Sequence, residues 1–203
     1  MNANTLLEST PPVELSELTA SELEQARLYL QQTRNYMIGA TKGMSEAQWN
    51  FKLAPDCWSI AEILEHVVAV QEFVMGPIRA ELALAPASAA HPEYKRVDGI
   101  VIHMLPVRLN KFKGPEALRP SGQWTPAEAT GRLLRNYERL TEYIESTPDL
   151  RQHMRQSPPL KAVSNGEFDS MDGYQWALAA GAHTERHAKQ ILEIKADPNF
   201  PAE

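Results

Sequence analysis

The sequence has little cysteine and no long apolar run. Cys57 is the single cysteine in 203 residues, which excludes an intramolecular disulfide framework and suits a reducing compartment. No stretch approaches the roughly 18 consecutive apolar residues that a membrane-spanning helix needs. Residues 1–15 also lack the basic start, apolar run and cleavage site of a secretory signal peptide. We therefore expect a cytoplasmic protein that does not span a membrane.

Positive charge is not in excess either. The formal net charge is -6, so the chain offers no basic surface for the phosphate backbone, and we expect no nucleic-acid partner. Apolar residues make up 43% and charged residues 23% of the chain, which is the composition of an ordinary globular protein. The chain is long enough to bury a core without disulfides or a structural metal.

Capping boxes mark several helix starts. In this S/T-x-x-E/Q motif, two side chains accept hydrogen bonds from backbone amides that the first helical turn leaves without partners. The motif occurs at Thr19 with Glu22, Ser45 with Gln48, Ser59 with Glu62, and Thr125 with Glu128. Pro126 strengthens the last of these, because proline favours the first helical position.

Apolar residues recur at helical spacing in four long segments. These predicted helices cover residues 20–41, 60–84, 126–146 and 171–195, with a short helix at 46–51. Pro77 predicts a kink or an early end within the second long helix. Residues 86–124 and 149–169 are predicted to be irregular, with a brief extended piece at 100–105. We expect an irregular lead-in at 1–18, an all-α bundle at 19–197 and a tail at 198–203.

A histidine pair stands on the fourth predicted helix. His183 and His187 are four residues apart, which places them about 40° apart around the axis and about 6 Å along it. This spacing suits two imidazoles that bind one divalent ion, but it also occurs in solvated surface pairs. The stretch HTERH is not the HExxH motif of zinc proteases. Glu185 points about 200° away from the histidines and is not a protease base.

His66 is the candidate for a third ligand. It lies on the face of the second predicted helix that should pack into the bundle, whereas His91, His103 and His153 fall in predicted irregular segments. His66 and His187 lie at the same level if their helices are antiparallel, and are offset by about 13 Å if they are parallel. A three-histidine cluster is therefore possible with antiparallel packing.

Two stretches resemble a known family. WSIAEILEHV (58–67) and YQWALAAGAHTERHAKQI (174–191) are similar to the DinB/YfiT-like superfamily, a group of helical proteins regarded as metalloenzymes. The specific part is a histidine about seven residues after Trp-Ser, then H-x-x-x-H followed by Gln-Ile. The resemblance extends from the first predicted helix through the segment Glu116 to Trp124 and on to Ile194.

The resemblance implies a fold and a ligand set. The fold is a four-helix bundle of down-up-up-down topology, with a long crossover between the second and third long helices. The implied metal ligands are His66, His183 and His187, with one position left for water or substrate. Three imidazoles with an open position favour a zinc ion, and nickel, iron or manganese would also accept them.

The resemblance also implies an activity. Relatives transfer bacillithiol or isomerise maleylpyruvate with mycothiol, so a transferase that joins a low-molecular-weight thiol to a small electrophile is expected. A metal-dependent hydrolase, or a non-enzymatic stress-associated scaffold, are the alternatives. The protein is expected to bind a small molecule, and to form a homodimer if its helix faces associate.

Two further residues are candidates for contacts with the ligands. Glu62 lies one turn before His66 and could accept its second N–H, although a capping box with Ser59 is the favoured role. Gln190 shares the face of His187, where a hydrogen bond to that ligand or a bond between helices would suit it.

Overall fold

The main helices start at residues whose side chains cap the first turn. The computed structural model describes residues 17–88, 90–108 and 115–202. The four capping boxes expected from the sequence are all formed, each with both of its reciprocal hydrogen bonds. A further capping box, which we did not predict, joins Asp172 to Gln175. Because of this cap, the fourth long helix begins at Gly173 rather than at the predicted residue 171.

The described residues are mostly helical. The α-helices are α1 (Ala20–Thr41), α2 (Glu46–Asn50), α3 (Ile60–Phe73), α4 (Arg79–Leu84), α5 (Tyr94–His103), α6 (Pro126–Ser146), α7 (Pro158–Val163) and α8 (Gly173–Lys195). Short 3₁₀ helices cover Glu116–Leu118 and Leu150–Gln152. Strands β1 (Met154–Gln156) and β2 (Ser170–Asp172) form one antiparallel pair, with Met154 opposite Asp172. The all-α class is confirmed, with this small antiparallel strand pair added.

Pro77 interrupts the second long helical segment. The α-helix ends at Phe73, and a π-helical turn, Val74–Ile78, contains the proline and joins α3 to α4. Proline has no backbone N–H and its ring crowds the preceding turn, so regular α-helical bonding cannot continue through it. The expected early end is therefore present, although helical structure resumes in α4.

The connection at 86–124 was predicted wrongly. Helix α5 lies within it, and residues 100–103 are helical where an extended piece was expected. The helix buries Val97 and Val101, whose spacing of four places both on the face that packs against α8. The 149–169 connection is also partly ordered, because it contains the 3₁₀ helix at 150–152, β1 and α7.

The core forms where the four long helical segments meet. Helix α1 packs against α6 and α8, and α3 packs against the same two helices. At Gly181 an added Cβ would lie 3.1 Å from Cδ2 of Leu30, so the absence of a side chain lets α1 and α8 approach closely. The packing of α3 on α8 sets His66 opposite the histidine pair of α8.

A buried charge cluster ties three helices together. Arg151 is 1% exposed and lies between the rings of Tyr94 and Tyr174, at 4.5 and 4.2 Å from their centroids. Its ion-pair partners, at 2.7 to 2.9 Å, are Glu22 of α1, Asp98 of α5 and Asp172 at the start of α8.

The structure describes most of the predicted C-terminal tail but almost none of the predicted N-terminal lead-in. The predicted lead-in at 1–18 lies outside the described residues, apart from 17 and 18. In the predicted tail, Phe200 meets the ring of Phe51 edge-on at 5.4 Å, and Pro201 accepts a hydrogen bond from Gln48. Among the described helices, none has the length and apolar character needed to cross a membrane.

Candidate metal centre

Three histidines converge between α3 and α8. One ring nitrogen from each of His66, His183 and His187 lies within 4.8 Å of the other two. The Nε2 atoms of His183 and His187 are 3.2 Å apart. Two nitrogens that bind one tetrahedral zinc at about 2.0–2.1 Å lie about 3.3 Å apart. The donor set, and the spacing of the His183–His187 pair, therefore fit a metal ion.

The His187 ring is oriented by Gln190. The Nδ1 atom of His187 lies 2.8 Å from Oε1 of Gln190, and Arg108 donates to the same oxygen at 3.1 Å. Because that oxygen only accepts, Nδ1 of His187 carries the proton, which leaves the Nε2 lone pair directed at His183. A contact with His187 is one of the two roles that the sequence left open for Gln190, although Gln190 accepts here where a donor was considered.

The His66 ring is oriented by a backbone carbonyl. Its Nδ1 donates to the carbonyl oxygen of Leu118 at 2.7 Å, so the proton again sits on Nδ1 and the Nε2 lone pair is free. The ring of Trp58 packs against it, with centroids 4.8 Å apart. The sequence did not indicate Leu118, because any residue could supply this carbonyl.

Glu62 does not contact His66 and has the other of the two roles that the sequence allowed. The Glu62 carboxylate accepts from the backbone N–H of Ser59 at 2.6 Å and forms an ion pair with Lys52 at 2.7 Å. The capping box and Lys52 thus hold this carboxylate at the start of α3, which is the alternative that the sequence favoured.

His183 completes the cluster. Its Nδ1 is buried and has no hydrogen-bond partner among the described residues, while its Nε2 faces His187. An unpaired buried polar atom is costly, and Nε2 of His183 can donate to Nε2 of His187 only if Nδ1 of His183 carries no proton. A cation between the rings would instead take both Nε2 lone pairs and leave the His183 proton on Nδ1.

Burial keeps the imidazoles neutral. It lowers the pKa of His66, although the Leu118 carbonyl opposes the shift. It lowers the pKa of His187 to about 3, with His66 adding to the effect, and holds the pKa of His183 well below its ordinary value. Metal ligation requires neutral imidazole, so the cluster is in its ligating form at neutral pH.

The metal-free protein is expected to lose stability as the pH falls below about 6.5. The unfolded chain protonates histidine near pH 6.5, whereas burial holds folded His187 neutral down to about 3. Between these values the unfolded state binds more protons, so acid favours unfolding. At about 1.4 kcal/mol per pH unit, His187 alone should remove about 2 kcal/mol between pH 6.5 and 5.

Urea unfolding in the presence of a chelator, at pH 7 and pH 5, measures this loss. The His187→Ala variant should show a smaller difference between the two pH values, since it lacks one of the groups that titrate. An equal difference in the variant and the wild type would contradict the assignment of the acid sensitivity to His187.

Cationic residues border the cluster. Arg108 pairs with Glu193 at 3.0 Å and reaches Gln190, while Arg186 donates to the backbone carbonyl of Val107. Burial lowers the pKa of Arg186, and Arg108 adds to the shift. Nothing in the sequence pointed to Arg108, because its segment is far from the histidines along the chain.

Comparison with known proteins agrees with this geometry. A family model described as the DinB superfamily matches residues 29–191, a span that includes all three histidines. The uncharacterized protein YuaE of Bacillus subtilis (strain 168) is 25% identical over 155 residues, which cover 76% of this chain and 87% of YuaE. No solved structure matches the chain significantly. With most of its length matched by the family model, the chain belongs to the DinB superfamily.

Proposed function

We propose that the protein is a metal-dependent transferase that joins a low-molecular-weight thiol to a small electrophile. The observation that carries the proposal is the cluster of His66, His183 and His187, neutral and turned toward one point. Zinc is the proposed metal, because three imidazoles with a fourth position left open are typical of catalytic zinc. When bound, zinc lowers the pKa of a coordinated thiol and so supplies a thiolate, the reactive form.

The protein's own residues have distinct tasks in this proposal. His187 and His66 present their Nε2 atoms because Gln190 and the Leu118 carbonyl hold the protons on Nδ1. Trp58 covers one side of the His66 ring, which limits its rotation and keeps water from that face. The rings are therefore set before any ligand arrives, so little reorganisation is needed on binding.

We also infer the down-up-up-down topology of the four long segments, from the order of contacts along each pair. Between α1 and α8 the contacts are Glu22 to Tyr174 and Ala40 to Lys195. Between α3 and α8 they are His66 to His187 and Gln71 to Thr184. Between the α3–α4 segment and α6 they are Glu72 to Arg132 and Arg79 to Tyr143. Residue numbers rise together along α1 and α8, and along the α3–α4 segment and α6, so the helices of each of these pairs are parallel. Along α3 and α8 one number rises while the other falls, so these two helices are antiparallel.

A metal and thiol requirement tests the proposal. Purified protein would be loaded with zinc, its metal content measured by elemental analysis, and the chromogenic electrophile 1-chloro-2,4-dinitrobenzene offered with bacillithiol, mycothiol or glutathione. We expect one zinc per chain and product formation that needs both the zinc and one of the thiols. The His91→Ala variant is the matched control, since His91 is exposed and outside the cluster.

Three outcomes would contradict the transferase. Turnover of an ester substrate without thiol would indicate the hydrolase instead. Zinc binding without turnover of any thiol in the panel would favour the scaffold. Equal product formation in zinc-loaded and chelator-treated protein would exclude a role for the metal in the reaction.

A further inference from the structure

A buried carboxylate holds the segment 118–123, which we call the carbonyl loop. It starts at the last residue of the 3₁₀ helix Glu116–Leu118. Glu65 of α3 is 3% exposed. It accepts from the backbone N–H of Ser121 at 3.0 Å, of Gly122 at 2.9 Å and of Gln123 at 3.3 Å, and from the Ser121 hydroxyl at 3.1 Å. A buried carboxylate is costly unless it is hydrogen-bonded, so this fourfold contact fixes the loop on α3.

The backbone of the carbonyl loop is shaped for this contact. Gly122 has a φ of +72°, in the left-handed region that residues with a side chain rarely adopt. This conformation turns successive amides toward one point, as in other backbone sites that bind anions. The loop therefore depends on Glu65 for its anchor and on Gly122 for its shape.

The same loop begins with the residue that orients a metal ligand. Leu118 supplies the carbonyl that accepts from Nδ1 of His66 at 2.7 Å. Glu65 and His66 are neighbours in α3, so one helix turn both carries the ligand and holds the loop that fixes its ring. The acceptor is a backbone atom, so the Leu118 side chain is not needed to orient the His66 ring. The orientation depends instead on the contact that holds the loop backbone, which Glu65 makes.

We propose that Glu65 is a positioning residue for the histidine cluster: by anchoring the carbonyl loop, it holds the Leu118 carbonyl against His66 and fixes the tautomer that ligates a metal. The metal part of this inference rests on the proposed function. Hydrogen-bond partners that orient metal-bound histidines are worth about 10- to 100-fold in metal affinity. Loosening the carbonyl loop should therefore lower the metal affinity.

The Glu65→Gln variant tests the proposal, with Glu62→Gln as its matched control. Both change a hydrogen-bonded glutamate of α3 to its amide, but the Glu62 carboxylate bonds Ser59 and Lys52 and not the carbonyl loop. The side-chain amide introduced by Glu65→Gln would present its own N–H donors to the donors of the loop. We expect zinc affinity, measured by competition with a chromogenic chelator, to fall by at least about 10-fold in Glu65→Gln and to stay within about twofold in Glu62→Gln.

A second measurement does not depend on metal. In the metal-free protein, ¹⁵N NMR of the imidazole rings reports which nitrogen of His66 carries the proton. We expect Nδ1–H in the wild type and in Glu62→Gln, and a shift toward Nε2–H in Glu65→Gln. If Glu65→Gln does not fold, Gly122→Val disturbs the loop from its other side and should shift the tautomer likewise.

The two measurements separate the two proposals. An unchanged His66 tautomer in a folded Glu65→Gln or Gly122→Val protein would overturn the positioning role, whatever the zinc affinity. Equal losses of affinity in Glu65→Gln and Glu62→Gln would also overturn it, since a general loss of helix stability would then suffice. A shifted tautomer in a protein that binds no zinc would support Glu65 as the positioning residue and overturn the proposed function.

Discussion

Replacement of His187 by alanine is expected to abolish stoichiometric metal binding. The variant would keep two imidazoles of the three, too few for the three-ligand zinc site proposed here. It would also leave the Gln190 oxygen without the Nδ1–H that it binds in the wild type. His187 suits the test because its ring is buried and contacts the rings of His66 and His183.

Zinc content and thermal unfolding together measure the effect. A ligand at about 100 times its Kd stabilises a folded protein by about 2.7 kcal/mol. For a chain of this size that corresponds to a rise in Tm of roughly 5 to 10 °C. We expect this rise for the wild type and for His91→Ala, and no rise for His187→Ala. One tightly bound zinc per chain in His187→Ala would contradict the assigned ligand set.

Replacement of Arg151 by alanine is expected to cause the largest loss of stability in the protein, about 3–5 kcal/mol. The change would leave Glu22, Asp98 and Asp172 facing one another without their shared cation. Three carboxylates already surround one guanidinium, and burial raises the pKa of Asp172 to about 6 even with Arg151 beside it. Removing the cation leaves buried negative charge with no compensation.

Urea unfolding followed by circular dichroism checks this expectation. The control is Arg96→Ala, which removes an arginine whose ion pairs with Glu93 and Glu167 are exposed. Its stability should stay close to that of the wild type, because exposed pairs contribute little. The loss in Arg151→Ala should also shrink from pH 7 to pH 5, as Asp172, whose pKa burial already raises, takes up a proton. Equal losses in the two variants would contradict the role of the buried cluster.

The sequence predicted the features that depend on local chemistry. Capping boxes act within four residues, so the starts of α1, α3 and α6 could be placed correctly from Thr19, Ser59 and Thr125. The proline at 77 ended regular α-helix as expected. Helical spacing also relates His183 to His187, and a length argument allowed His66 to join them if the helices are antiparallel. The full ligand set came from the family resemblance.

Features that depend on long-range contacts were missed. Helix α5 packs against α8 and pairs its Asp98 with Arg151, and these partners are distant in sequence and have no local signature. The acceptor for His66 is a backbone carbonyl, and every residue type has one, so the sequence could not indicate which residue supplies it. Glu62 and Glu65 show the same difficulty, because both precede His66 on one helix. Only the position of the carbonyl loop shows that Glu65 is the one linked to His66, through the loop.

The distribution of the three histidines has a consequence for biosynthesis. His66 leaves the ribosome well before His183 and His187, by a delay of the order of ten seconds at ~5–20 residues per second. Until the last helix emerges, the nascent chain offers an incoming ion only one of the three imidazoles of the cluster. If the cluster binds the proposed ion, loading therefore follows translation, and the supply of ion at that moment, rather than during elongation, would determine which newly made molecules receive one.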